Sequence, residues 1–337
     1  MNARKSLLAG LVLLLTAGTA SAQTTLVFSN WLPATTPFSQ HVLMAWMKNA
    51  EQATGGRVKF NVLGKAVASP AGHFDAVRDG TADVAFTVHG YTPGRFTLTK
   101  MAELPLLGDS GEALSVAYQR VHDRLLAKAN EHQGVRALAV FTHGPGQLYT
   151  VKRPVNRLED LSGLKMRAGG GIVNDIAGAL GTASLMKPAT EAYELLSGGV
   201  ADGTFFARES IATFKLANVV RHATFFPGGL FNTSFVLIIN EAKLAAMPAA
   251  DREAFLKTTG EAFARLAGKS FDESDLKAVD AMREAKVDIR TASPAFVEQV
   301  RKATQPVVDA WVQEAAKKGV DGRAALEMLR AEARKAP

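Results

Sequence analysis

The 337-residue chain contains no cysteine. That excludes a disulfide framework, a zinc ribbon or finger, an iron–sulfur site and a thiol nucleophile. Its seven histidines, His41, His73, His89, His122, His132, His143 and His222, never stand at H-x-x-x-H spacing, so a catalytic metal has no evident cage. Phosphate and dinucleotide loops are missing too. Gly169-Gly170-Gly171 is not followed by Gly-Lys-Ser/Thr and lacks the G-x-G-x-x-G spacing. No G-x-S-x-G elbow occurs. The tetrapeptide Gly108-Asp109-Ser110-Gly111 has the look of a nucleophile turn, but Asp109 or Ser110 there is better read as the cap of a following helix. The excess of 39 Lys+Arg over 32 Asp+Glu is mild and has no dense basic run, so it is no nucleic-acid footprint. With 47% apolar residues the chain is not disordered. No enzyme constellation, cofactor or metal site emerges from these patterns.

Long apolar runs are also scarce. The one near the start, Leu7 to Leu15, follows Arg4 and Lys5 and precedes Ala20-Ser21-Ala22. This three-part pattern reads as a cleavable secretory signal over residues 1–22, too short for a spanning helix, so the mature protein is expected to be exported. Beyond it, strands and helices alternate. Thr25–Phe28, Arg57–Leu63, Ala82–Val88 and Ala137–Phe141 read as strands, with helices over Phe38–Thr54, near Gly72–Arg78 and over Glu112–His132. That order indicates an α/β fold with largely parallel sheets. The stretch Phe74 to Phe86 has a partner in Tyr193 to Phe205, with Gly80, Ala82, Asp83 and Phe86 matching Gly199, Ala201, Asp202 and Phe205. The match points to two similarly built lobes, although short helix–turn–strand units also agree by chance. Ligands of such sheets sit beyond the carboxyl ends of the strands, so two facing lobes would enclose a cleft. Pro248 to Val287 has no internal proline and reads as one helix spanning both lobes, or as two helices broken at Gly260 or Gly268.

Candidate cleft residues follow from position. His89 and His143 each come directly after a strand-like run, where a cleft would open. Arg167 ends the short strand Leu164–Arg167, before a glycine-rich turn and a helix start. There it could present two N–H donors to a carboxylate, or simply pair with Glu159 or Asp160 on the surface. The chain is rich in Phe (18) and poor in Tyr (4) and Trp (3). Phe205, Phe206, Phe225, Phe226 and Phe231 cluster; consecutive Phe205 and Phe206 face opposite sides of a strand, so one can line a cleft while the other is core.

The strings Asp160-Leu161-Ser162-Gly163-Leu164-Lys165-Met166-Arg167, Ala179-Leu180-Gly181, Glu191-Ala192-Tyr193 and Gly199-Val200-Ala201-Asp202-Gly203 resemble the solute-binding proteins of TRAP (tripartite ATP-independent periplasmic) transporters. In the first half, Asp79-Gly80-Thr81-Ala82-Asp83-Val84-Ala85 and Glu103-Leu104-Pro105-Leu106-Leu107 agree with the same pattern. The resemblance implies a two-lobed periplasmic binding protein fold of two mixed sheets flanked by helices, with crossing hinge strands. Residues 23–147 and 233–272 would form lobe I, and 148–232 with 273–337 lobe II, bridged by a long helix at about 248–287. It further implies capture of a small organic acid, with no catalysis and no cofactor, and delivery to a TRAP permease of large and small membrane subunits by a monomeric protein. Arg167 would hold the ligand carboxylate.

Departures from the family pattern bear on the ligand. Gln147 stands where many sugar-acid and dicarboxylate binders have a second arginine, and Phe206 where they have an asparagine. Ala189 replaces a common aromatic, and Trp31 a position that is polar in some members. With His89, Phe231 and Asn232 these residues complete the expected site. One cation and one amide fewer, beside added apolar surface, point to an apolar or aromatic monocarboxylate, a 2-oxo or 2-hydroxy acid, with Gln147 bonding its second polar group. A C4 dicarboxylate or sugar acid in the same fold, an exported enzyme and a receptor-type ligand sensor are the alternatives.

Overall fold

A computed structural model describes residues 23–335; the signal segment expected over 1–22 lies outside them. In chain order the elements are β1 (Thr24–Ser29), α1 (Met44–Ala53), β2 (Val58–Val62), α2 (His73–Arg78), β3 (Val84–Val88), α3 (Gly111–Val121), β4 (Val135–Thr142), β5 (Gly146–Thr150), β6 (Lys165–Ala168), α4 (Ile172–Ala179), β7 (Ala183–Met186), α5 (Ala192–Ser197), β8 (Gly203–Ala207), α6 (Arg208–Thr213), β9 (His222–Phe225), β10 (Ser234–Asn240), α7 (Glu241–Ala245), α8 (Ala249–Leu256), α9 (Glu261–Glu284), β11 (Asp288–Thr291), α10 (Pro294–Lys317) and α11 (Gly322–Lys335). A π-helical turn, Phe38–Leu43, leads into α1, and another, His122–Leu126, follows α3.

The strands form two mixed sheets, ordered β2-β1-β3-β10-β4 and β11-β9-β5-β8-β6-β7. Apart from the added β11, the second sheet read backwards repeats the first. In each, two parallel pairings precede an antiparallel strand supplied from the other half of the fold, β10 in one and β5 in the other. The chain therefore crosses between sheets at residues 143–145 and again at 226–233. The two crossings are tied where the Gly146 N–H donates to the Phe231 carbonyl at 2.7 Å. The Phe231 ring lies flat on Gly146, where any Cβ would collide with it.

The internal match seen in the sequence is structural. Gly80 and Gly199 both adopt positive φ, +77° and +69°, at the turn from α2 into β3 and from α5 into β8. The following aspartates do the same work. Asp83 Oδ2 accepts from Val27 N at 2.7 Å and Asp202 Oδ2 from Lys165 N at 2.9 Å, each fixing the neighbouring strand.

The expected 248–287 helix is broken at Gly260, whose φ is +59°, into α8 and α9. Gly268 remains helical, since the missing side chain lets α3 come into backbone contact at Gly111 and Glu112. The 24 residues of α9 still run about 36 Å at 1.5 Å per residue. Phe263, Ala267 and Phe271 pack in the core of the first sheet, and Met282 in that of the second. The Ser110 hydroxyl caps α3 by accepting from Ala113 N, and Asp272 of α9 accepts from Gly111 N and Glu112 N. Capping thus accounts for the Gly108–Gly111 turn. The last helix, α11, expected with lobe II, instead lies along α3 on the first-sheet side.

Candidate functional site

The carboxyl ends of β3 and β6 face each other across a cavity of about 730 Å³, its open mouth included. Three main-chain ties close it from opposite sides. Glu103, ending a short 3-10 helix, accepts from Ile172 N at the start of α4 (3.0 Å) and from Ser234 N at the start of β10 (3.1 Å). The Tyr91 hydroxyl accepts from Ala189 N at 3.0 Å. Gly90 meets Gly170 backbone to backbone, with the Gly170 φ at +88°, no room for a Cβ on Gly170 and only a tight fit for one on Gly90.

Arg167 sits in the wall as a strand residue of β6. It is 2% exposed, yet among the described residues it makes no ion pair. Its Nε donates to the Lys187 carbonyl at 2.9 Å, its guanidinium lies 4.3 Å over the Phe206 ring, and Tyr91 hydrogen-bonds it. Burial pulls its pKa down, but a guanidinium remains charged at any relevant pH. A buried, unpaired cation is costly unless an anion joins it. Phe214 stacks behind Phe206 at 5.5 Å and holds that ring in place.

The opposite wall is aromatic. Phe38 from the π-turn, Phe86 from β3, Phe235 from β10 and Phe271 from α9 interlock, with centroid separations of 4.9 Å for Phe38–Phe271 and 5.2 Å for Phe38–Phe86. Trp31 joins them 5.0 Å from Phe86, its indole N–H donating to the Phe86 carbonyl at 3.1 Å. His143 stands edge-on to Phe231, Phe235 and Phe271, and burial pulls its imidazole down to about 4. Burial also pushes the Glu103 carboxyl up to about 7 against the pull of its two N–H donors.

Six of the residues expected from sequence come together here: Arg167, Phe206, Trp31, Ala189, Phe231 and Asn232 all line the cavity. Two do not. Gln147 is fully buried and is not among the cavity-lining residues; its Oε1 accepts from Phe226 N at 2.6 Å and its Nε2 donates to Phe226 O at 3.4 Å, so its amide joins β5 to the end of β9. His89 turns away from the cavity, with Nδ1 at 2.8 Å from the Ser234 hydroxyl and Nε2 at 2.8 Å from His132 Nε2. His143 and Asn232 are polar side chains that do line the cavity. Tyr91 and Glu103 were missed. Tyr91 was legible as one of only four tyrosines, directly past the end of β3, whereas Glu103 was visible only within the Glu-Leu-Pro motif.

A cavity held between two copies of one α/β unit, with a buried cation free of ion pairs on one side and aromatic rings on the other, defines a clamshell binding protein for small anions. Among the described residues no cluster of acidic and histidine side chains could hold a metal ion, and no helix is long and apolar enough to cross a membrane. The chain belongs to the bacterial extracellular solute-binding protein family 7, the TRAP solute-binding proteins, whose family model matches residues 28–315. Members are transport binding proteins, not enzymes, and work with TRAP permease subunits. A solved TRAP periplasmic solute-binding protein from Bordetella bronchiseptica, with bound (R)- and (S)-mandelate, is 44% identical at a TM-score of 0.90, covering 93% of this chain and 99% of that one. Another, from Rhodoferax ferrireducens and in complex with copurified benzoate, is 27% identical at a TM-score of 0.87 and covers 93% and 98%. The "Outer membrane transporter protein TsaT" of Comamonas testosteroni is 30% identical over 99% of both chains.

Proposed function

We propose that this protein captures an aromatic or apolar monocarboxylate, of the 2-oxo or 2-hydroxy acid type, and hands it to the large and small membrane subunits of a TRAP permease. It does so as a periplasmic monomer, after removal of the signal over residues 1–22. The observation that carries the ligand class is Arg167, the sole cation lining the cavity among the described residues, buried without a carboxylate partner opposite a wall of phenylalanines. A ligand carboxylate completes the guanidinium, with each charge-assisted hydrogen bond contributing about 1.5–3 kcal/mol. The rings then take the apolar body, at about 25 cal/mol per Å² buried. The mandelate and benzoate bound by the two solved relatives have this chemistry.

A second carboxylate has no cation to meet and would instead approach Glu103 and Glu209, both buried in the lining. Titration calorimetry or thermal shift against aromatic monoacids, C4 dicarboxylates and sugar acids tests the reading. Aromatic monoacids are expected to bind at least ~100-fold more tightly, since an unmatched buried charge costs several kcal/mol. A preference for the diacids would overturn it.

A further inference from the structure

His143 has a fixed polarity. Its Nδ1 faces the carbonyl oxygen of Gly144, which offers only lone pairs, so Nδ1 must carry the ring proton. Burial, with the Arg167 charge adding to it, keeps the ring from taking a second proton. Nε2 is then a bare acceptor. No hydrogen bond to a described residue occupies it, and His143 lines the cavity. Asn232 points the same way. The orientation that satisfies its neighbours has its amide N–H₂ donating to Gly144 O at 3.1 Å and His143 O at 3.2 Å, which leaves its oxygen as a second acceptor. Donors and acceptors are thus sorted around the cavity. Arg167 and the Tyr91 hydroxyl donate to a carboxylate, while His143 and Asn232 can only accept.

We infer that His143 is the specificity-determining residue that reads a ligand hydroxyl through Nε2, selecting 2-hydroxy acids over the corresponding 2-oxo acids. Arg167 and His143 line the same cavity, so a ligand held by its carboxylate at Arg167 can bring the substituent on the adjacent carbon to the acceptor. A 2-hydroxyl donates its O–H there. A 2-oxo group brings lone pairs against the lone pair of Nε2, and moving the proton to Nε2 would forfeit the bond to Gly144 O. This rests on the proposed monocarboxylate reading and resolves which of its two acid types the site takes.

Calorimetric titration with mandelate and phenylglyoxylate, on wild type, His143→Phe and His143→Gln, tests it. Wild type is expected to favour mandelate by about 30-fold, the scale of one buried hydrogen bond made against one acceptor left facing another. In His143→Phe that ratio should collapse to within about threefold, whereas His143→Gln, whose amide oxygen can accept, should retain part of it. Equal or tighter binding of phenylglyoxylate by wild type, or an unchanged ratio in His143→Phe, overturns the inference. Should His143→Phe fail to fold, the wild-type ratio and the ¹⁵N shift of His143 decide, with Nε2 expected unprotonated in the free protein and hydrogen-bonded with mandelate. A protonated Nε2 would overturn the assignment. If wild type binds neither acid but takes a dicarboxylate, the monocarboxylate reading fails first and the two failures are told apart.

Discussion

Ser29 and Arg167 occupy the same place in two copies of one unit. Ser29 pairs with Ala85 in the register of β1 on β3, and Arg167 pairs with Thr204 in that of β6 on β8. The internal match sets Ala85 against Thr204, one residue after Val84 and Gly203. In the first copy the side chain is absorbed by its own lobe. The Ser29 hydroxyl sits 3.0 Å from His73 Nε2, accepts from Val67 N at 3.2 Å and is fully buried. In the second copy the same strand end delivers an unpaired guanidinium to the cavity. One lobe therefore uses the position for stability and contributes an aromatic wall, while the other leaves a buried guanidinium without an ion pair at the cavity, the group we propose a ligand carboxylate completes. Duplicated architecture supplies the geometry, and a single side chain decides which copy presents a charge to the cavity.

Making the second copy like the first should have the largest effect. Arg167→Ser is expected to weaken binding of an aromatic monoacid at least ~100-fold, the usual consequence of removing one partner of a buried charge pair. The unfolding midpoint of the ligand-free protein should fall little or rise, because a buried cation without a partner is itself destabilising. A large loss of stability with retained binding would break the comparison. The aromatic wall should behave differently. Phe271→Ala opens the stack with Phe38 and Phe235, so denaturant unfolding should show a loss of about 3 kcal/mol. Affinity for aromatic acids should drop about tenfold with it. Ser29→Ala should reduce stability by about 1–2 kcal/mol through the partners left unpaired. Calorimetry should find its affinity unchanged within about twofold, since Ser29 is not among the cavity-lining residues.

The smallest effect concerns pH and separates the two kinds of buried group. Burial holds His132 down to about 3 and His143 to about 4, so both gain a proton on unfolding below their ordinary 6.5. Burial pushes Glu103 up to about 7 and Asp275 to about 8, so both lose one on unfolding above their ordinary 4.5 and 3.8. Between pH 4.5 and 6.5 the two sets oppose each other. From 6.5 to 8 only the carboxyls act and stability falls as pH rises; below 4.5 the histidines prevail and it falls with decreasing pH. A thermal midpoint that changes least between about pH 4.5 and 6.5 and declines on both sides is expected. A monotonic rise from pH 5 to 8 would contradict the assignment of the buried carboxyls.

The order of elements and the two-lobed plan were legible because strands and helices here carry strong local signals: apolar runs such as Val84–Val88, and glycines at the turns. Arg167 was legible from its place at a strand end before a glycine loop, although residue type alone left a surface ion pair equally open. Gln147 was misread because position could be carried over from relatives while its partners could not; the main chain of Phe226, far along the sequence, claims its amide. The aromatic wall was invisible for the same reason, as Phe38, Phe86, Phe235 and Phe271 converge only through the crossing of β10 and the path of α9. The break at Gly260 was undecided because an interior glycine costs only about 1 kcal/mol, too little to settle a helix end without knowing its contacts.

The contact of Gly90 with Gly170 sets a mechanical stop. Where two lobes meet through side chains, their separation can be retuned by rotamers and varied by mutation; where they meet through main chain, the gap is as rigid as the strands behind it. At that contact the spacing of the two lobes is then a property of the backbone. Adding even a methyl group at Gly170 runs into the Gly90 carbonyl and wedges the jaws apart. Such a wedge would leave the chemistry of Arg167 intact while admitting water to the cavity, where the higher dielectric weakens any charge contact the guanidinium makes.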